Sequence, residues 1–281
     1  MTPAMLDEEL TKKKLCTRGT DDIQRGRLKN HYKNELLFDS KNPLTLIEQP
    51  FEYIAVVDFE ATCDENQKNY LHEIIEFPIV LIDVKQQAII DQFQSYCRPV
   101  RNPILTKFCT DLTGIQQRQV DAAPIFVEVL HNVESWLNER NLLSSSNKSR
   151  LAFATDGPWD FAKFLRLQCR LSSILYPEWA NKWVNIRKRF AQFYSIRSCG
   201  IVRMLEYLNL SFDGHRHSGL DDSINIARIA VQLLKDGCIL SLNDGVHTGD
   251  PEFAAMTNTN TEFACNPDAA TTDSDEIVFE N

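Results

Sequence analysis

Four carboxylates at three separated points of the chain sit at the edges of apolar segments. In Ile54-Ala55-Val56-Val57-Asp58-Phe59-Glu60, an apolar run ends in two acids two positions apart. A strand turns alternate side chains to one face, so the spacing points Asp58 and Glu60 the same way at its carboxyl end. Two carboxylates placed there suffer desolvation and mutual repulsion unless cations compensate. A third acid, Asp160, follows Gly157-Pro158 and heads the series Asp160, Phe164, Leu167, Leu171. These positions form one stripe of a helix. Asp222 heads an equivalent stripe with Ile226, Ile229 and Leu233. Its neighbour Asp221 is turned about 100° away on the helical wheel. An acid in a helix's first turn is also ordinary capping chemistry, so neither Asp160 nor Asp222 is decisive alone. His217 lies five residues before Asp222, in the loop entering that helix. A lone histidine is more often a surface or core residue, and this placement beside Asp222 changes the odds.

Other chemistry-bearing groups read as structural. His72-Glu73-Ile74-Ile75-Glu76 lacks the second His of a zinc helix and is flanked by strand residues. Asp156 fits an N-cap or loop role. The eight cysteines contain no C-x-x-C pair, which argues against a structural zinc site and for reduced thiols. No apolar run approaches the roughly 20 residues that span a bilayer. Met1 to Leu10 is acidic and lacks the apolar core of a secretory signal. The expectation is an intracellular protein of cytoplasm or nucleus with no membrane partner.

The net charge of −9 taken alone argues against nucleic acid, but the charge is unevenly spread. Residues 12–33 hold eight Lys or Arg against two Asp, a net of +6. Residues 244–281 hold nine acids and no Lys or Arg. A polyanion meets local patches rather than the total.

The elements that must position these groups follow from periodicity. Asp7 to Phe38 reads as two short helices around Cys16-Thr17-Arg18-Gly19, followed by a linker at 39–50 with two proline breakers. Strands are expected at Tyr53–Phe59, Ile74–Val84, Ala88–Arg98, Leu151–Thr155 and Trp183–Ile186. Helices are expected at about 103–111, 124–140, 158–173, 187–194, 199–209 and 219–236. Residues 141–150 read as a loop. Strands first, then strand–helix alternation, gives a mixed α/β sheet covered by helices. From Asp244 the chain is polar and acidic and reads as a disordered tail.

In order, these motifs resemble the DEDDh exonuclease superfamily. Its D-x-E motif stands here as Asp58-Phe59-Glu60, its aromatic-Asp helix opening as Trp159-Asp160, and its H-x-x-x-x-D motif as His217 to Asp222. Asp58-Phe59-Glu60-Ala61-Thr62-Cys63, His72-Glu73-Ile74-Ile75-Glu76-Phe77-Pro78, Leu112-Thr113-Gly114-Ile115 and Thr155-Asp156-Gly157-Pro158-Trp159-Asp160 are similar to the Eri-type branch, which includes histone-mRNA 3′-end exonucleases. The resemblance spans 51–243 and implies an RNase H-like fold. Residues 8–38 resemble the small SAP nucleic-acid-binding module that precedes the nuclease in that branch, with a first helix about one turn shorter.

The resemblance implies 3′→5′ hydrolysis of RNA with release of nucleoside 5′-monophosphates. Asp58, Glu60, Asp160 and Asp222 would hold two divalent ions, and oxygen donors suit Mg²⁺ or Mn²⁺. His217 would be the general base. Glu60, Ala61 and His217 would line the terminal nucleotide's pocket. Candidate nucleic-acid contacts are Arg18, Arg25, Arg27, Lys29 and Lys33 in the N-terminal segment. Lys182, Arg187 and Lys188 join them in a stretch where bases alternate with aromatics. A solvated basic helix is the alternative in both places. The expected substrate is RNA with a stem-loop or short 3′ overhang. Histone mRNA ends, ribosomal RNA 3′ ends and small interfering RNAs are all compatible, and ribosomal or histone-mRNA-binding factors are the protein partners the family suggests. A dual DNA/RNA exonuclease and a catalytically dead binding scaffold are the competing functions.

Overall fold

A computed structural model describes residues 1–40, 48–67, 70–143 and 150–246. Its centre is a mixed sheet of β1 (Tyr53–Val56), β2 (Glu60–Ala61), β3 (Ile74–Asp83), β4 (Ala88–Tyr96), β5 (Leu151–Thr155), β6 (Lys182–Asn185) and β7 (Asp244–Gly245). The long β3 pairs antiparallel with β4 along one side and with β1 and β2 along the other. β1 then runs parallel to β5, and β5 to β6, while β7 closes the edge antiparallel to β6.

Alternation along β1 divides the core into two layers. Ile54 and Val56 face a layer shared with Val80, Ile82, Ala154 and Val184. That layer is covered by helices α7 (Ile186–Tyr194), α8 (Ile201–Tyr207) and α9 (Gly219–Lys235). Ala55 and Val57 face Phe77, Ile79, Leu81 and Phe153 on the other side. Helix α5 (Phe126–Glu139) covers that face together with a π-helical turn (Asp160–Leu165) that runs into α6 (Arg166–Leu171).

Three elements depart from the sequence reading. The strand expected at Tyr53–Phe59 leaves the ladder after Val56 and resumes at Glu60. Phe59 N–H donates instead to Asp160 Oδ1 at 2.9 Å, an acceptor from a distant part of the chain. The helix expected at 103–111 is α3 (Lys107–Thr113), with a separate α4 (Gln117–Asp121). Thr106 caps α3 by accepting from Cys109 N, and Gly114 ends it at φ 74°. The polar tail begins later than expected, since Asp244 and Gly245 form β7. Residues 247–281, 41–47 of the linker and 144–149 of the loop lie outside the described residues.

The N-terminal helices are α1 (Pro3–Lys12) and α2 (Asp21–Ser40). Thr2 caps α1 and Pro3 sits at its first turn, which starts the helix ahead of the expected Asp7 and supplies the turn the sequence reading left out. The pair is docked on the body. Helix α2 packs along α7, and Gly26 lies so close to Tyr194 that an added Cβ would meet its backbone at 3.1 Å. Thr20 N–H donates to Tyr207 O at 2.9 Å, and Asn30 Nδ2 to Phe193 O at 2.7 Å. At the centre of the joint Arg27, 1% exposed, pairs with Asp236 at 2.8 Å. Arg27 also donates to Cys16 O and Arg18 O, while Tyr194 OH donates to Asp236 at 2.6 Å. Arg27 is therefore not a surface contact for phosphate, as its charge suggested from sequence; its guanidinium is consumed inside the molecule.

No helix among the described residues is long and apolar enough to cross a membrane. Arg27→Met should leave Asp236 buried without its cation and lower unfolding stability by about 3–5 kcal/mol. The double variant Arg27→Met/Asp236→Asn should recover part of that loss. Urea unfolding midpoints for wild type and both variants measure it, and a single variant as stable as wild type would remove the ion pair from the joint.

Candidate metal centre and active site

The chain folds so that its acids converge. Asp58 lies just beyond β1, Glu60 opens β2, Asp160 opens the π-helical turn after β5, and Asp222 lies in the first turn of α9. One carboxylate oxygen from each of Asp58, Glu60 and Asp222 falls within 4.8 Å of the others. Asp160 sits beside this trio rather than within it, with one oxygen held by Phe59 N–H. Asp160 and Asp222 are buried, 7% and 6% exposed.

Burial is the main reason that all four acids are hard to ionise. It pushes Asp58 well above the ordinary aspartate range, and the charges of Asp160, Asp222 and Glu60 add to it. Glu60 is raised well above its usual value by burial, then by Asp222 and Glu76. Asp160 and Asp222 are each raised to about 7, burial again leading. Such a group of oxygens is poorly stable as bare charges and well matched to hard divalent cations. The residues present thus fit a carboxylate-held metal centre.

The scaffold around the acids is built from backbone donors. Glu76 stands directly across the strand pair from Glu60. It is 1% exposed and accepts from Gly219 N and Leu220 N at 3.0 and 3.3 Å, while Gln94 Nε2 donates to it at 2.7 Å. It therefore caps α9 and fixes the turn that carries Asp222. Gly219 is required there, because a Cβ would fall 2.6 Å from Asp58 O. Glu73 accepts from the amides of Val100, Arg101 and Asn102, and His72 Nδ1 lies 2.7 Å from Thr62 O. The His72–Glu76 stretch is therefore scaffold, as expected. The capping role of Glu76 was missed; an acid within an otherwise apolar strand was its only signal.

His217 lies in the loop before α9 with φ 61°, a left-handed backbone uncommon outside glycine. Its amide donates to the Asp222 carboxylate. Burial lowers its pKa, with Arg216 and His215 adding to the effect. Ala61 follows Glu60 in β2. A cavity of about 250 Å³ beside the start of α9 is lined by Glu76, Tyr96, Thr113, Gly114, His215 and Asp221, among others, and by none of the four acids.

The basic candidates fall into two groups. Arg18, Lys29, Lys33 and Lys182 are exposed. Arg25 pairs with Asp21 at 3.7 Å, Lys188 with Asp244 at 2.9 Å, and Arg187 with Asp156. The aromatics between the bases do not face solvent: Trp183 and Phe190 are core residues in opposite layers, so neither can stack on a base.

Residues 55–230 match the exonuclease family model RNase_T. The chain is 45% identical to the rat (Rattus norvegicus) 3′-5′ exoribonuclease 1 over 252 residues, covering 89% of this chain and 72% of that protein. It is 37% identical to the 3′-5′ exonuclease Snipper of Drosophila melanogaster, covering 72% and 76%. Among solved structures, a 3′-exonuclease engaged in 3′-end-specific recognition of a histone mRNA stem-loop matches with TM-score 0.69 and 43% identity, over 89% of this chain and 86% of that one. The nuclease domain of 3′hExo, a DEDDh family member bound to rAMP, matches with TM-score 0.67 and 47% identity, over 70% and 98%.

The raised carboxyl pKa values set a pH dependence. Asp160 and Asp222 rise from 3.8 to about 7 in the metal-free fold. The folded state then holds more protons than the unfolded chain between those values, so their contribution to stability is lost as pH rises through that window. Mn²⁺ should raise the melting temperature more at pH 8 than at pH 5.5. Thermal scans with EDTA or Mn²⁺ at each pH measure this, and an equal gain at both would show that the acids are not what the ion relieves.

Proposed function

This chain belongs to the RNase_T exonuclease family and is a metal-dependent 3′→5′ exoribonuclease with an RNase H-like fold, and from that premise we propose the residues and the RNA through which it acts. The observation that carries the assignment is the meeting of Asp58, Glu60 and Asp222 oxygens within 4.8 Å, with Asp160 alongside. Asp58, Glu60, Asp160 and Asp222 hold two divalent ions, Mg²⁺ or Mn²⁺. Ions bound there supply charge neutralisation at the phosphate and acidify a water. His217 would accept the attacking water's proton on an imidazole nitrogen, and its lowered pKa keeps the ring neutral and able to do so. Glu60, Ala61 and His217 border the terminal nucleotide. The product is a nucleoside 5′-monophosphate.

The RNA is one with a stem-loop or a short 3′ overhang, as in the similar exonuclease that recognises a histone mRNA stem-loop. Exposed Arg18 between the two N-terminal helices, Lys29 and Lys33 on α2, and Lys182 on the body contact phosphates. Because α2 is docked on α7, that basic surface belongs to the same rigid body as the metal site. The protein acts inside the cell, in keeping with seven described cysteines that are all free thiols.

Asp58→Asn and Asp222→Asn should each abolish release of 5′-monophosphates from RNA, and His217→Ala should slow it by roughly 10²–10⁴-fold. Full activity in either Asn variant would sink the metal assignment. Matched RNA and DNA stem-loops compared on wild type decide whether the enzyme is restricted to RNA. Arg18→Glu/Lys29→Glu/Lys33→Glu should weaken stem-loop binding and spare hydrolysis of a short single-stranded oligonucleotide. Each lost phosphate contact should flatten the log–log salt slope by about 0.7–0.9. An unchanged slope would show that this surface does not meet RNA.

A further inference from the structure

Helix α9 presents two stripes to the site. Asp222, Ile226, Ile229 and Leu233 face the sheet and core. Beside them runs a polar stripe of Asp221, Asn225 and Arg228, which the sequence pattern left without a task. Asn225 is fully buried, an uncommon place for an amide with no partner in the chemistry. Its Oδ1 accepts from Asp213 N at 3.0 Å, and its Nδ2 donates to Asp213 O at 2.8 Å. It thus pairs with both polar atoms of one peptide residue. Nδ2 also donates to Asp221 O at 2.8 Å. Arg228 Nη1 donates to Asn225 Oδ1 at 2.7 Å and to Ser211 O at 2.9 Å. Asp221 Oδ2 accepts from His215 N at 2.8 Å.

Four of these six bonds end on residues 211–215, the approach to His217, and the other two tie the stripe together along the helix. Gly214 turns there at φ 91°, and a Cβ on it would lie 2.4 Å from Asp221 Cγ. On the far side, Ser218 N donates to His215 O at 3.3 Å, and Ser218 O accepts from Asp222 N at 2.8 Å. His217 is left between two fixed points, in a backbone conformation that only surrounding contacts can hold.

We propose that Asp221, Asn225 and Arg228 are positioning residues that clamp the 211–215 segment and thereby hold His217 in its left-handed conformation, aimed at the water beside the Asp222 carboxylate. This rests on the reading of His217 as the general base. None of the three is a metal ligand, and each acts through the loop alone. The arrangement explains why one helix carries both a metal ligand and the fastening of the base: Asp222 and the clamp share a rigid rod, so base and metal centre keep a constant separation.

The test is Asn225→Ala in the full chain, with Arg228→Gln as a second variant that cuts the clamp from its half-buried end if the first does not fold. Either should lower kcat by roughly 10–10²-fold, as expected for a misplaced reacting group, with KM little changed. Mn²⁺ affinity measured by calorimetry on the substrate-free protein is expected to stay intact, because Asp58, Glu60, Asp160 and Asp222 are untouched. Trypsin should cut after Arg216 faster than in wild type. In a His217→Ala background, either change should cost no further activity, since a clamp that works through His217 has nothing left to position. The same fold-loss in both backgrounds, or wild-type cleavage at Arg216, would overturn the clamp. Full turnover in His217→Ala alone would instead overturn the base assignment, and the Arg216 cleavage rate would then still decide whether the clamp orders the loop.

Discussion

The structure depends on keeping like charges together. Three carboxylates with oxygens inside 4.8 Å, and a fourth beside them, repel one another and resist leaving water. No local segment could hold them so, which is why these acids come from elements the sheet already fixes. β1 and β5 are adjacent parallel strands, so Asp58 and Asp160 leave the same end of the sheet. Glu60 returns on β2 against β3, and Glu76 across from it fastens the start of α9. The four acids are thus attached to four elements whose relative placement is set by core packing rather than by the acids themselves. Divalent cations bound there would relieve a repulsion that the apolar layers already impose.

The same economy appears at the N-terminal joint. A basic helix needs exposed cations to meet a polyanion, but α2 also has to stay where the site can use what it grips. Arg27 is withdrawn from the surface to pair with Asp236, two backbone carbonyls accept from its Nη1, and Tyr194 OH donates to Asp236. Arg18, Lys29 and Lys33 remain outside. One charge is used for docking, and its neighbours are kept for solvent. A buried ion pair is a weak source of net stability but a strict one for geometry, since shifting either partner leaves a charge in a dry place.

Much of this was legible in the sequence. Strands β3, β5 and β6 and helices α5, α7 and α9 followed from periodicity, and the meeting of Asp58, Glu60 and Asp222, with Asp160 beside them, matches what the family resemblance implied. What was not legible depends on partners far along the chain. The break after Val56 exists because Asp160, 101 residues away, takes the Phe59 amide. Arg27 looked like its exposed neighbours because nothing near it reveals Asp236. Trp183 and Phe190 read as stacking aromatics between bases, when they are opposite-facing core residues on a strand and the helix that follows it. In each case local composition was correct and the tertiary partner decided the role.

Helix α9 carries a second pattern beside the one already visible. A stripe headed by Asp222 was recognisable because apolar residues at helical spacing announce a buried face. The adjacent stripe of Asp221, Asn225 and Arg228 is polar, and polar residues at helical spacing normally announce solvent. Here they announce a second buried contact, because the loop 211–215 folds back over them and its peptide groups need partners that no strand supplies. A loop that must hold a left-handed histidine cannot borrow regularity from secondary structure. It borrows it from side chains on the nearest rigid rod, and the rod available is the one that already carries Asp222.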